Sequence, residues 1–552
     1  MTDYNPEKKY NPSSGKKYGI ILVGVVVLAF LFRFHSLETV PHWDFDEGYN
    51  MRYAFDLLHG EVLWFAIKYT FIPHPPLFFL AYAVVVKYLG VGVYTIRLLT
   101  ASYGILTTIT LYFIGREMFN PKVGVLASFI YAVSPEAVYW NRLGYANNQF
   151  VLLSVLSLYF FQKHSKKPAR WHLLLGCMFL GLSVVTEYLG VLTVAAVALF
   201  FYVYRRKETL HVLVLSLIPT AMVFGFMLFY RPDYFLFDLY YQYYRFFSLP
   251  KVIASLVLLF VIRRLLQSNV RKMVSKFYQP VADSLLQDSL IYTAVISLAI
   301  FITTSEGDFW NATSFLFLMG FFGLYFKPSF LIAQEKERRL LILYLSSSIL
   351  SMMILGRADH MTMIVYSYVA LALASMLLTI YERNLVEPPW VVKRFNLHPS
   401  RRVLFAAVFY SLLLMAGFST YFFIMGENIS MESIDKDAAV AAYLDQHTTP
   451  DDVVLTYSWM FPLIRTPRVS LLTQSLAYEG IPIAYYSGKF PKERFAFNTS
   501  YTRAKFLVGG NGTLDWVLNE TNATVAVAYL EGWSKTSIGD FIIYQNPAYA
   551  VS

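Results

Sequence analysis

The chain has 552 residues, 57% of them hydrophobic and 18% aromatic, with only 15% charged. No water-soluble domain buries that much apolar surface, so the class is a polytopic α-helical membrane protein. The net charge of +10 does not point to nucleic acid, because the basic residues are scattered through short loops between apolar runs.

Residues 1–17 are polar and basic and read as a cytoplasmic N-terminal tail. The apolar run 18–34 has no small-residue cleavage site after it and reads as a retained span. Further runs lie at 96–115, 123–140, 149–162, 171–187, 189–204, 210–229, 251–266, 285–304, 313–327, 340–356, 361–380 and 403–425, giving thirteen predicted spans within residues 18–425. An odd number puts the two termini on opposite sides. Loops such as 163–170, 205–207, 263–276 and 393–402 hold most of the lysines and arginines, which puts the N-terminus inside. The run Pro75 to Gly90 is short, opens on two prolines and carries Lys87, so it reads as an interfacial or re-entrant helix. Residues 35–95 then form one long outer loop. Cys177, the single cysteine, lies in an apolar run and forms no intrachain disulfide.

The tail, residues 426–552, changes character and reads as an extracytoplasmic α/β domain. Strands are predicted at Asp452–Tyr457 and Ala523–Ala528, and a helix around Ala438 to Leu444. Asn-x-Ser/Thr sequons at Asn311, Asn428, Asn498, Asn511, Asn519 and Asn522 all fall on the predicted outer side, as candidate N-glycosylation sites.

Ionisable residues are nearly absent from the middles of the predicted spans. Glu136, Arg142, Glu187, Arg357, Asp359 and His360 fall at or beyond outer ends. An ion-coupled transporter keeps such groups at the midplane; charges at one face suit chemistry on a lipid whose polar head sits at the interface. The acidic run Asp44-Phe45-Asp46-Glu47 opens the long outer loop. A phosphate-linked donor needs a cation near its leaving group, and transfer to a hydroxyl needs a carboxylate to take the proton. Asp46 is the candidate base with Glu47 beside it. Arg357, His74, Arg142 and His360 are candidates to face the phosphate, and Asp44, Glu136 and Asn147 to position acceptor or sugar. Each has a plainer reading: Asp46 capping a helix that starts near Tyr49, Glu47 matching a helix dipole, and Arg97 and Arg142 anchoring to headgroups.

Several motifs carry a resemblance. Asp46-Glu47-Gly48-Tyr49 follows the first span, then come Phe55-Asp56-Leu57-Leu58-His59-Gly60, His74-Pro75-Pro76-Leu77, Arg97-Leu98, Leu111 to Arg116, Ser134-Pro135 and Asn141-Arg142. In order and spacing over residues 18–205 the chain resembles the GT-C-fold glycosyltransferases that use polyprenyl-phosphate sugars. Within them it is most similar to the protein O-mannosyltransferase and lipid A aminoarabinose transferase branch. The resemblance implies inverting transfer of a monosaccharide, mannose among the candidates, from a dolichyl or polyprenyl phosphate. The acceptor would be a protein, glycan or lipid hydroxyl on the outer face. It implies Asp46 as base and His74 near the phosphate, no required cofactor though a divalent cation is compatible, and an archaeal-type plasma membrane, or the endoplasmic reticulum membrane in a eukaryote. One departure stands out: relatives carry a second acid where this chain has Asn147-Asn148. The alternatives are a lipid-linked-sugar flippase or other transporter, and an oligosaccharyltransferase. The latter would carry a Trp-Trp-Asp-type motif, which neither Tyr457-Ser458-Trp459 nor Leu514-Asp515-Trp516 supplies.

Overall fold

The computed structural model describes residues 12–59, 75–230, 335–355, 363–383, 427–481, 497–510, 512–521 and 523–549, with a few single positions beside them. The predicted spans 251–266, 285–304, 313–327 and 403–425 lie outside these residues.

The first helices are α1 (Pro12–Phe34), α2 (Phe45–Leu58), α3 (Leu77–Leu89), α4 (Val93–Met118), α5 (Pro121–Val133) and α6 (Pro135–Asn141). They continue with α7 (Asn147–Lys166), α8 (Arg170–Thr186), α9 (Gly190–Tyr204) and α10 (Thr209–Tyr230), and two long helices follow at Glu335–Leu355 and Met363–Arg383. Among the described residues, three helical stretches are long and apolar enough to cross a membrane, Lys17–Phe34, Val93–Met118 and Arg206–Tyr230.

The predicted run 123–140 is two helices. Ser134 is extended (φ −62°, ψ 121°) and ends α5. The ring of Pro135 disfavours helical backbone in the residue before it and is well placed to open α6. At the other end of α5, Asn120 accepts the N–H of Val123 at 3.0 Å ahead of Pro121.

The helices pack as a bundle: α7 against α4 and α8, α5 against α1 and α4, α10 against α8. Helix Met363–Arg383 lies on α5 and α7, and Glu335–Leu355 on α9. Between them runs a set of buried hydroxyls. Ser154 meets Tyr368 and Ser157 meets Tyr344, each at 2.7 Å, and Thr193 meets Ser347 at 3.1 Å. In an apolar interior these bonds fix helix register where hydrophobicity alone gives none.

The tail begins with helix Glu427–Gln446 and forms a five-stranded mixed sheet, in the order β2-β1-β3-β5-β4. The strands are β1 (Val453–Leu455), β2 (Arg468–Ser470), β3 (Phe506–Gly509), β4 (Ser534–Ile538) and β5 (Phe541–Gln545). β1 runs parallel to β2 and β3, whereas β5 is antiparallel to β3 and β4. The strand predicted at Ala523–Ala528 is instead the helix Thr524–Glu531. Its buried residues Ala526, Val527 and Leu530 follow helical spacing, and the Ala/Val alternation that suggested a strand is apolar on both sides.

Candidate active site

The acidic run is the N-terminus of α2, which begins at Phe45 rather than near Tyr49. Asp44 is the N-cap: its Oδ1 accepts the N–H of Asp46 at 3.1 Å, and Glu47 reaches back to the Asp44 N–H at 3.5 Å. The three carboxylates therefore have different surroundings. Asp44 and Asp46 are half-buried, and Glu47 is fully buried.

Glu47 is held from two sides. Arg97 on α4, also fully buried, donates Nε to Oε1 at 2.8 Å and Nη2 to Oε2 at 2.7 Å, a bidentate fork. The Gly144 N–H adds a third bond to Oε1 at 2.9 Å. The other end of the Arg97 guanidinium donates to the carbonyls of Leu37 and Pro41 at 3.0 and 2.9 Å, so one side chain ties α4, the α1–α2 connection and the acidic turn together.

Arg142 is 3% exposed and donates to the carbonyls of Phe32, Ser36 and Val40 at 2.7–3.0 Å. These include the C-terminal end of α1, where orphan carbonyls and the helix dipole favour a cation. This corrects two expectations. Neither Arg97 nor Arg142 extends to headgroups, and the donors of Arg142 are spent on backbone rather than turned to a phosphate.

The connection from α6 to α7 supplies what sequence reasoning missed. The Tyr145 hydroxyl donates a short hydrogen bond to Asp44 Oδ1. Burial, then the charges of Asp46 and Asp44, hold this hydroxyl far above the usual tyrosine range, so it stays a donor. Asn50 on α2 donates to the Gly144 carbonyl at 2.9 Å. Beneath, Arg33 donates to Asn141 Oδ1 at 2.9 Å, and Asn141 Nδ2 donates to Asn148 Oδ1 at 2.7 Å. Asn148 Nδ2 in turn donates to the carbonyls of Trp140, Leu143 and Tyr145 at 2.9–3.2 Å. Arg33, fully buried, also caps the last turn of α5 through the Tyr131 and Ala132 carbonyls. A Cβ at Gly104 would lie 2.9 Å from Arg33 Nε, so only glycine leaves room there.

This wiring gives a physical reason for the amide at Asn148: a carboxylate has no N–H for those carbonyls. Asn148→Asp is expected to cost at least about 2 kcal/mol through orphaned carbonyls and a buried charge, read as a lower unfolding temperature in detergent. Asn147, 3% exposed, has an Nδ2 with no hydrogen-bond partner. Glu136 sits in the first turn of α6. His74, Arg357, Asp359 and His360 lie outside the described residues, as do Asn311, Asn511 and Asn522. Asn428 falls within helix Glu427–Gln446, Asn519 is exposed on helix Thr513–Thr521, and Asn498 is half-buried with its Oδ1 on the Ser500 N–H at 3.1 Å.

Residues 73–231 match the family described as dolichyl-phosphate-mannose-protein mannosyltransferase. No curated protein sequence matches the chain. Among solved structures, the chain is similar to ArnT from Cupriavidus metallidurans in the apo state, at 13% identity and a TM-score of 0.57, covering 98% of this chain and 99% of that one. It is also similar to the Archaeoglobus fulgidus oligosaccharyltransferase in the apo form, at 13% identity and a TM-score of 0.54, over 98% of this chain and 75% of the other. The matched segment and the shared fold place the chain among the GT-C-fold glycosyltransferases.

Proposed function

We propose that the protein transfers a monosaccharide from a polyprenyl-phosphate donor to an acceptor hydroxyl, with inversion, and that Asp46 is the general base. The acceptor oxygen loses its proton to Asp46 and attacks the anomeric carbon. The bond from that carbon to the phosphate oxygen breaks, and the polyprenyl phosphate leaves with the electron pair.

The observation that carries this reading is the division of labour on the first turn of α2. Glu47 is locked into Arg97 and Gly144, and Asp44 caps the helix and accepts from Tyr145. Asp46 presents a half-buried carboxylate on the same rigid turn. On this reading Glu47 positions the turn rather than touching substrate. Tyr145 fixes Asp44 beside Asp46, which suits Asp44 to orienting the acceptor or sugar. His74, Arg357 and His360 remain the candidates for the phosphate, and the step as written needs no cofactor. Mannose from dolichyl phosphate is the first donor to test, because the matching family is named for it. The active site and tail are read as extracytoplasmic, in a plasma membrane or an endoplasmic reticulum membrane.

Tyr145→Phe removes the hydroxyl donated to Asp44 while keeping the ring. A hydrogen bond to a charged group is worth about 1.5–3 kcal/mol, so transfer is expected to slow by about tenfold or more. Initial rates at saturating donor check this. The reading itself is tested by incubating the purified protein with labelled dolichyl-phosphate mannose and an acceptor mixture, and asking for labelled product with release of dolichyl phosphate.

A further inference from the structure

The tail touches the acidic turn directly. Gly48, two residues after Asp46, lies under the Ser458–Trp459 backbone. A Cβ there would stand 2.6 Å from Trp459 Cα, and closer still to the Ser458 carbonyl oxygen. One residue on, the Tyr49 hydroxyl accepts from Gln474 Nε2 at 2.8 Å, and both side chains are buried. Gln474 is itself fixed, since its Oε1 accepts from the Ser470 hydroxyl at 2.7 Å at the end of β2. The Tyr49 ring also meets Phe461, with centroids 6.3 Å apart. Ahead of the turn, His42 Nε2 meets Asp437 Oδ2 of the tail helix at 3.1 Å. The acidic turn is thus held between Arg97 from the bundle on one side and the tail sheet on the other.

We propose that the tail is part of the active site, with Gln474 and the Ser458–Trp459 backbone acting as positioning groups that set the place of the Asp46 carboxylate through Tyr49 and Gly48. The proposal rests on the reading of Asp46 as the base. Packing alone would make these contacts matter for folding. Positioning makes them matter for the chemical step in a protein that is still folded, because small displacements of a base are costly in rate.

The test uses the full chain, purified, with a polyprenyl-phosphate sugar as donor. Tyr49→Phe and Gln474→Met each remove one end of the bond at a single hydrogen-bond group. Each is expected to lower kcat about five- to tenfold, the rate equivalent of one net hydrogen bond, with KM for the donor unchanged within about twofold. The double variant is expected to fall no further than the worse single one, because the two share one interaction. Gly48→Ala, which forces the turn away from Ser458, is expected to lower kcat by about a hundredfold or more. Unchanged kcat in both single variants overturns the proposal, as does a loss of kcat that only follows loss of folded protein by size-exclusion chromatography. Asp46→Asn, measured alongside, separates the two levels. If it keeps full activity, the assignment of the base has failed. If it is inactive while Tyr49→Phe and Gln474→Met are unaffected, only the role of the tail has failed.

Discussion

Asp46→Asn is expected to slow sugar transfer by about 10²–10⁴-fold, the usual range for removal of a general base, while the protein stays folded. The amide keeps the size of the side chain but cannot take the proton from an acceptor hydroxyl. The donor binds through its phosphate and lipid, so its affinity is expected to hold within about threefold, and the loss to fall on kcat. The fold should tolerate the change, because Asp44 caps α2 and Glu47 anchors it, and Asp46 contributes only its backbone N–H to the cap. Single-turnover rates with donor binding measured separately check both halves.

Arg97→Met is expected to have the opposite profile, losing the fold before the chemistry. Breaking a buried ion pair by removing one partner costs about 3–5 kcal/mol, a large part of the stability of an ordinary domain. Here the stranded partner is Glu47, fully buried, and the carbonyls of Leu37 and Pro41 lose their donor at the same time. The fraction of monodisperse protein after extraction should fall steeply. The double change Arg97→Met with Glu47→Leu is expected to recover part of the loss, since it removes the uncompensated charge while leaving the Gly144 N–H without an acceptor. Glu47→Gln is expected to be milder than Arg97→Met, because the amide oxygen still accepts from Arg97 or Gly144. Thermal unfolding of the four proteins in one detergent orders them.

Much of this was legible in the residues, and the reasons differ from place to place. Helices α1, α4 and α7 to α10 follow from unbroken apolar runs, whose length and composition reflect the membrane directly. The break at Ser134-Pro135 was also written in the sequence, but a run counted only by hydropathy passes over it. In the tail, β1 was found by its apolar residues, whereas Thr524–Glu531 was mistaken for a strand because alanine and valine alternate there without a polar partner face. The acidic turn could be picked out because three carboxylates in four residues are unusual beside an apolar span. Their separate duties could not, since those come from Arg97, Gly144 and Tyr145, which are distant in sequence. Arginines at span ends read as headgroup anchors until their partners are known, and carbonyl partners carry no sequence signal. Asn148 is the clearest case: it stands out as a missing acid, and only its three carbonyl acceptors explain the amide.

The most direct measurement is a transfer assay on the purified protein in lipid vesicles, with a panel of labelled polyprenyl-phosphate sugars that includes dolichyl-phosphate mannose. Wild-type protein is expected to move label from at least one donor onto an acceptor, releasing polyprenyl phosphate with inverted anomeric configuration in the product, and Asp46→Asn is expected to abolish this. Label that crosses the bilayer still attached to its lipid, with no phosphate released and no dependence on Asp46, would contradict the account and identify a transporter instead.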